Sequence, residues 1–154
     1  MTSMRRLAVI ALLAGMAMTL STAPAAAIDK DVRAAAYLDS DAFGFGAGLL
    51  SPIGSEGRWF FNPNLELALG DADRFAVNGD FHYDFGYDSG LSMWLGGGPA
   101  ILVTDPDVGD SRTDLGLNLL TGIGGTRGSV RPFGQVRGVI SEDSEVVLQG
   151  GIRF

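Results

Sequence analysis

Cysteine is absent from all 154 residues, which excludes disulfides, thiol catalysis, Cys-type zinc sites and a lipid anchor on cysteine. Basic residues are few: 11 Lys and Arg stand against 18 Asp and Glu, for a net charge of −7. That balance supplies no basic patch to neutralise phosphates, so a nucleic-acid partner is not expected. Lysine occurs once, at Lys30, and histidine once, at His82. Past residue 27 no apolar run approaches the ~20 residues that a membrane-spanning helix needs. Yet the mean hydropathy is +0.21, high for an acidic chain whose length fits one domain.

Part of that hydropathy lies in the first 27 residues. Arg5 and Arg6 precede an apolar stretch from Leu7 to Leu20, and Ala25-Ala26-Ala27 supplies small residues for cleavage. This is the pattern of an export signal, so residues 1–27 are expected to be removed and the mature domain to span 28–154. An uncleaved anchor would need a longer apolar stretch, and the residues around Arg5-Arg6 fit twin-arginine export poorly. Removal takes away two Arg and no acid, leaving the mature chain still more acidic.

The remainder alternates with period two, the repeat of strands. From Arg74 to Phe85, Phe75, Val77, Gly79, Phe81, Tyr83 and Phe85 share one face, and Arg74, Ala76, Asn78, Asp80, His82 and Asp84 share the other. The same rhythm runs through 58–69, 91–104 and 145–154. Turn-forming clusters such as Gly54-Ser55-Glu56-Gly57, Gly86 to Gly90 and Asp105 to Asp114 separate the runs. Eight strands are predicted, over 30–38, 42–53, 58–69, 74–85, 91–104, 115–125, 130–140 and 145–154, with no helix. Pro63, Pro99 and Pro132 fall inside strands and predict bulges or local ends, because proline removes a ladder donor.

Alternation does not say which face is inside. A soluble barrel turns its apolar face inward; a membrane barrel turns it outward. Three features select the membrane form. The polar face carries many glycines and almost no lysine, a poor water-facing surface but a suitable crowded interior. Its charges nearly balance, with Arg33, Arg74, Arg131, Arg137 and Arg153 against Glu66, Asp80, Asp84 and Glu145. Buried charges persist when paired, and an eight-stranded barrel is just wide enough to be filled by them. Aromatic residues gather at the ends of the apolar face, Phe43 and Phe75 at one end and Trp59, Phe61, Tyr83, Phe85 and Phe154 toward the other, as interfacial girdles do. Spanning strands need ~9–11 residues, and eight of them use most of 28–154. The fold class is therefore an all-β, eight-stranded, antiparallel transmembrane up-and-down barrel, with both termini on the periplasmic side.

The ending Ala25-Ala26-Ala27 and the last strand, Val146-Val147-Leu148-Gln149-Gly150-Gly151-Ile152-Arg153-Phe154, make the likeness more specific. The chain resembles the small outer-membrane β-barrel family of Gram-negative bacteria, which includes the OmpA transmembrane domain, OmpX-like proteins and opacity-like barrels. The resemblance covers the mature chain as an architecture. It implies residence in the outer membrane among lipids and lipopolysaccharide. It also implies that Val146, Leu148, Ile152 and Phe154 act as a sorting signal for the barrel-assembly machinery.

No catalytic residue, cofactor or metal is expected. The one constellation with catalytic elements is His82, Asp84 and Ser92. A tight hairpin at 86–90 places Asp84 opposite Ser92 and His82 opposite Trp94, so that Ser92 lies diagonal to His82 at ~7–8 Å between backbones. The preferred reading is a histidine in a polar core, packed on Trp94. Asp105, Asp107 and Asp110 have the spaced carboxylates of a calcium loop, but their spacing departs from the EF-hand and a solvated acidic loop is preferred. The leading function is a structural or interaction role in the envelope, in contact with lipopolysaccharide or external ligands. A general diffusion porin needs ~16–18 strands and is not expected. The alternatives are a lipid-modifying barrel enzyme and a secreted lipocalin-like binding barrel. Ligand and oligomeric state are left open.

Overall fold

The computed structural model describes residues 28–86, 90–106 and 110–154. The expected export signal, residues 1–27, lies outside them. Eight strands follow in chain order: β1 (Asp29–Tyr37), β2 (Ala42–Ile53), β3 (Trp59–Leu69), β4 (Ala72–Phe85), β5 (Leu91–Pro106), β6 (Arg112–Gly125), β7 (Arg131–Ile140) and β8 (Glu145–Arg153). Each pairs antiparallel with its chain neighbour, and β1 pairs with β8 to close the barrel. Closure leaves no sheet edge, so every strand satisfies its backbone internally, as lipid requires. The seam extends past the last strand. Lys30 and Phe154 exchange backbone bonds in both directions, at 2.8 and 2.9 Å, which ties the final residue to β1.

The apolar face points outward. Phe45, Trp59, Leu95, Leu117, Leu119, Val136 and Leu148 are among the large hydrophobics left exposed on the wall. The polar face points inward, and Arg33, Glu66, Asp80, His82 and Arg137 are buried. This distribution is the reverse of a soluble globule. It accounts for high mean hydropathy without a helical span, and no described helix is long and apolar enough to cross a membrane.

Two details differ from the sequence reading. The prolines make no bulge. The Cα partners are interrupted where Pro63 faces Leu49 and where Pro99 faces Gly79, and they resume in the same register; around Pro132 they are unbroken. Leu49 O, facing a residue with no N–H, accepts instead from Asn62 Nδ2 at 2.8 Å, so a side chain repairs the missing ladder bond. The β5–β6 hairpin also runs further than expected. Thr104 pairs with Arg112 and Val103 with Thr113, which shortens the acidic connection predicted over Asp105 to Asp114.

Candidate functional site

The lumen holds the polar side chains, and inward glycines make room for them. A Cβ on Gly46 would lie 2.7 Å from Glu66 Cγ, and one on Gly48 2.8 Å from an Asp31 carboxylate oxygen. On β6, a Cβ on Gly122 would fall 2.4 Å from the indole of Trp94. Glycine is used at these positions for space rather than for backbone freedom.

At the waist of the lumen Glu66, from β3, gathers partners from three other strands. Oε2 accepts from Tyr37 Oη at 2.9 Å and forms an ion pair with Arg137. Oε1 accepts from Gln149 Nε2 at 2.6 Å and lies 3.8 Å from Arg33 Nη1. Arg33 is paired with Asp31 and donates to Asn62 Oδ1 at 2.9 Å. An asparagine belt continues around the wall. Asn78 donates to Asn64 at 3.0 Å, Asn64 to Asp80 at 2.9 Å, and Asn118 to both Asn78 and Asp80 at 2.9 and 2.8 Å. Asp80 lies 3.9 Å from Arg137 Nη1.

Toward the mouth away from Asp29 and Phe154, termed the outer mouth as against the inner mouth where those residues lie, Arg74 pairs with Glu145, which also accepts from the Ser40 hydroxyl at 2.5 Å. Above them opens a pocket of about 260 Å³, lined by Asp39, Asp41, Asp71 and Arg74 among others. At the inner mouth Arg131 pairs with Asp29 at 2.6 Å, so its partner is a rim residue rather than one of the expected interior acids.

The inner floor of the lumen is arranged differently. Arg153 lies over the rings of Trp94 and Phe133, at 4.3 and 4.7 Å from their centroids. Among the described residues no carboxylate comes within 4.0 Å of it. His82 stacks between Phe60 and Trp94, each centroid 5.6 Å away. From the floor a chain of bonds leads back to the waist: Trp94 Nε1 to Gln135 at 3.0 Å, Gln135 to Gln149 at 2.7 Å, and Gln149 to Glu66.

His82, Asp84 and Ser92 do meet, but in the wrong order for a triad. Asp84 faces Trp94 and His82 faces Gly96, two residues from the pairing expected for the hairpin. Ser92 Oγ donates to Asp84 Oδ2 at 2.8 Å, and His82 Nε2 lies 3.4 Å from Asp84 Oδ1 without a hydrogen bond. A nucleophilic serine needs a base that takes its proton, and the base in turn needs an orienting carboxylate. Here the carboxylate stands between the other two. Asp105 accepts from Ser111 Oγ at 2.9 Å, Asp110 is exposed on the outer connection, and Asp107 lies outside the described residues. Among the described residues no group of His, Cys, Asp or Glu could hold a metal ion.

The interior network expected from charge leaves out Asp31, Tyr37 and the amides of Asn62, Asn64, Asn118, Gln135 and Gln149, while alternation alone already turns Asn78 inward. The signal was present, since each shares the inward parity of a residue that was named. Of the residues expected to form a sorting signal, Val146, Leu148 and Ile152 face outward on β8, and Phe154 is exposed at its end.

No protein-family model matches the chain, and no curated protein matches it in sequence. Solved structures do. Neisserial surface protein A superposes with a TM-score of 0.65 at 18% identity, over 82% of this chain and 94% of that one. The N-terminal β-barrel domain of Pseudomonas aeruginosa OprF gives 0.65 at 16% identity, over 82% and 96%. The outer-membrane enzyme PagL gives 0.53 at 13% identity, over 82% and 98%. The chain thus has the fold of the small eight-stranded outer-membrane β-barrels.

Proposed function

We propose that the protein is an integral outer-membrane barrel with a structural and interaction role, exported by its first 27 residues and inserted with both termini toward the periplasm. The observation that carries this reading is the filled lumen. A waist closed by Glu66, Arg33, Arg137 and the asparagine belt leaves no wide aqueous path, which argues against a diffusion porin. The exposed apolar wall argues against a secreted lipocalin-like barrel. Lipids and lipopolysaccharide are its surroundings, and the barrel-assembly machinery its partner during insertion, with β8 and Phe154 as the segment that is read.

Interaction would occur at the outer rim. Asp39, Asp41, Asp71, Asp73, Asp110, Glu142 and Asp143 crowd there, while Arg112 is engaged by Asp114 and Asp143. Such a rim attracts cationic external ligands.

The second reading is an enzyme, since PagL, an outer-membrane enzyme, has a similar barrel; a lipid-modifying reaction through His82, Asp84 and Ser92 would be its form, and the order in which those three residues meet counts against it. One set of measurements separates the two. The folded protein should migrate differently on a gel before and after boiling, give no stable large conductance in a planar bilayer, and leave lipid A mass spectra unchanged when expressed. A lipid A product that disappears with His82→Ala would replace the structural reading by the enzymatic one.

A further inference from the structure

Among the described residues of the inner mouth, one arginine is left outside the ion pairs. Arg131 of β7 lies directly opposite Arg153 of β8, and Arg153 directly opposite Asp31 of β1, so the three share one row across the seam. Like charges opposite one another on neighbouring strands are destabilising, and the acids nearby do not answer both. Asp31 is engaged by Arg33, and Asp84 by the Ser92 hydroxyl at 2.8 Å. Neither carboxylate comes within 4.0 Å of Arg153.

Arg131 reaches further. Asp29 stands on β1 two residues nearer the mouth than Asp31, on the far side of β8. The side chain of Arg131 therefore crosses β8 on the mouth side of Arg153 before its Nη2 meets Asp29 Oδ1 at 2.6 Å. The pair forms a strap over Arg153. Its two side chains are 22% and 25% exposed, so the pair is open to water and weakened by it. Behind the strap Arg153 is 8% exposed and is seated on the rings of Trp94 and Phe133. The Nε atoms of Arg131 and Arg153 have no hydrogen-bond partner.

One guanidinium is thus buried without a carboxylate, and its neighbour is held by a carboxylate that water can draw away. Residues directly opposite have Cβ atoms ~4.5–5.5 Å apart, so one oxyanion can reach both forks, the geometry in which arginine binds phosphate. We propose that the inner mouth binds a small doubly charged anion of the phosphate class, which displaces Asp29 from Arg131 and bridges Arg131 and Arg153. Asp29 is the competitor built into the site, and its carboxylate turns to water when the anion enters. Arg153 faces the lumen, with the barrel wall between it and lipid, so the ligand is a free anion rather than a headgroup. The site does not rest on the role or orientation proposed above, which decide only that this mouth opens to the periplasm.

Trp59→Phe leaves Trp94 as the only tryptophan, and Arg153 lies 4.3 Å over its ring, so Trp94 emission reports on the site. The chain 28–154 is folded into non-ionic detergent micelles and titrated with inorganic phosphate, with ionic strength held constant by chloride. The phosphorus NMR line width follows binding independently of the tryptophan. Both signals are expected to saturate together. Asp29→Asn should tighten binding by up to about five-fold, the range of a partly exposed ion pair. Arg131→Gln should weaken it about ten-fold, as loss of a charge-assisted hydrogen bond does, and Arg153→Met should abolish the line broadening. Acetate, with one charge, should bind about ten-fold more weakly than phosphate.

A line width that stays constant across the millimolar range, or broadening that persists in Arg153→Met, would overturn the site. Unchanged or weaker binding in Asp29→Asn would show that Asp29 does not compete, against the proposal. Equal affinity for acetate would overturn the phosphate class. Boiling-dependent migration is checked for each variant. If Arg153→Met does not fold, Asp29→Asn and Arg131→Gln at the rim decide, because their expected effects have opposite signs. A chain that does not fold in micelles defeats the barrel reading itself, whereas a folded barrel without phosphate binding defeats only this proposal.

Discussion

At the waist of the lumen Glu66 meets two arginines, a tyrosine and a glutamine, whereas nearer the inner mouth Arg153 meets two aromatic faces and, among the described residues, no carboxylate within 4.0 Å. Both regions bury charge inside a closed sheet. At the waist each charge is answered by an opposite one, although Arg137 Nε and Nη1 and Asn118 Oδ1 make no hydrogen bond. At the floor the cation is answered by ring quadrupoles, and His82 Nε2, Asp84 Oδ1 and Arg153 Nε keep no hydrogen bond. Ion pairs shared among four strands fix the spacing of those strands across the barrel. Aromatic stacking fills the same kind of space with weaker directional demands. The waist should therefore carry the stability and the floor should tolerate change.

The largest effect is expected at Glu66. Glu66→Leu leaves Arg137 and Arg33 facing one another without their shared carboxylate, and breaking a buried pair costs about 3–5 kcal/mol. Urea unfolding in phospholipid vesicles, followed by fluorescence, should show this loss. Glu66→Leu combined with Arg137→Leu removes both charges and should recover most of it, since apolar replacement of a whole buried pair is often neutral. A double variant as unstable as the single one would mean that the waist is held by shape rather than by charge.

A smaller loss is expected where the floor is tightly packed. Gly122→Val places a branched side chain 2.4 Å from the Trp94 indole, and overpacking of this kind costs about 1–3 kcal/mol. Because Trp94 also anchors the bond chain to Gln135 and Gln149, the same substitution should shift its fluorescence. A variant with unaltered emission would show that the floor has free space.

Most of the architecture was legible because a strand's two faces alternate and turn residues interrupt the alternation. Parity assigned Arg33, Glu66 and Arg137 to the interior without knowledge of the fold. Register was less legible, for a definite reason: a slide of two residues leaves every side chain on its own face, so alternation does not register it. That slide put Asp84 opposite Trp94 instead of Ser92. Gly86 and Gly90, on either side of residues 87–89, have φ of 89° and 81°, a backbone that alternation does not predict. Partners across the lumen were less legible still. Nothing in the chain order of Glu66, Arg137 and Gln149 shows that β3, β7 and β8 face one another, since that follows from closure.

Arg153 gives the smallest and most discriminating effect. Arg153→Met keeps length and apolar packing while removing the charge. Two opposing contributions then change together. Stacking on Trp94 and Phe133 is lost, worth about 0.5–2 kcal/mol for a cation over a ring. The cost of holding an unpaired cation away from water, several kcal/mol per ion after relaxation, is lost as well. The attraction of Asp31 and Asp84, lost as well, offsets the rest of that cost, so the net change should lie within about 1 kcal/mol of zero in the same urea titration. A loss comparable to that of Glu66→Leu would equate two aromatic faces with an ion pair. In that event the floor, and not only the waist, would be holding the strands of the barrel at their spacing.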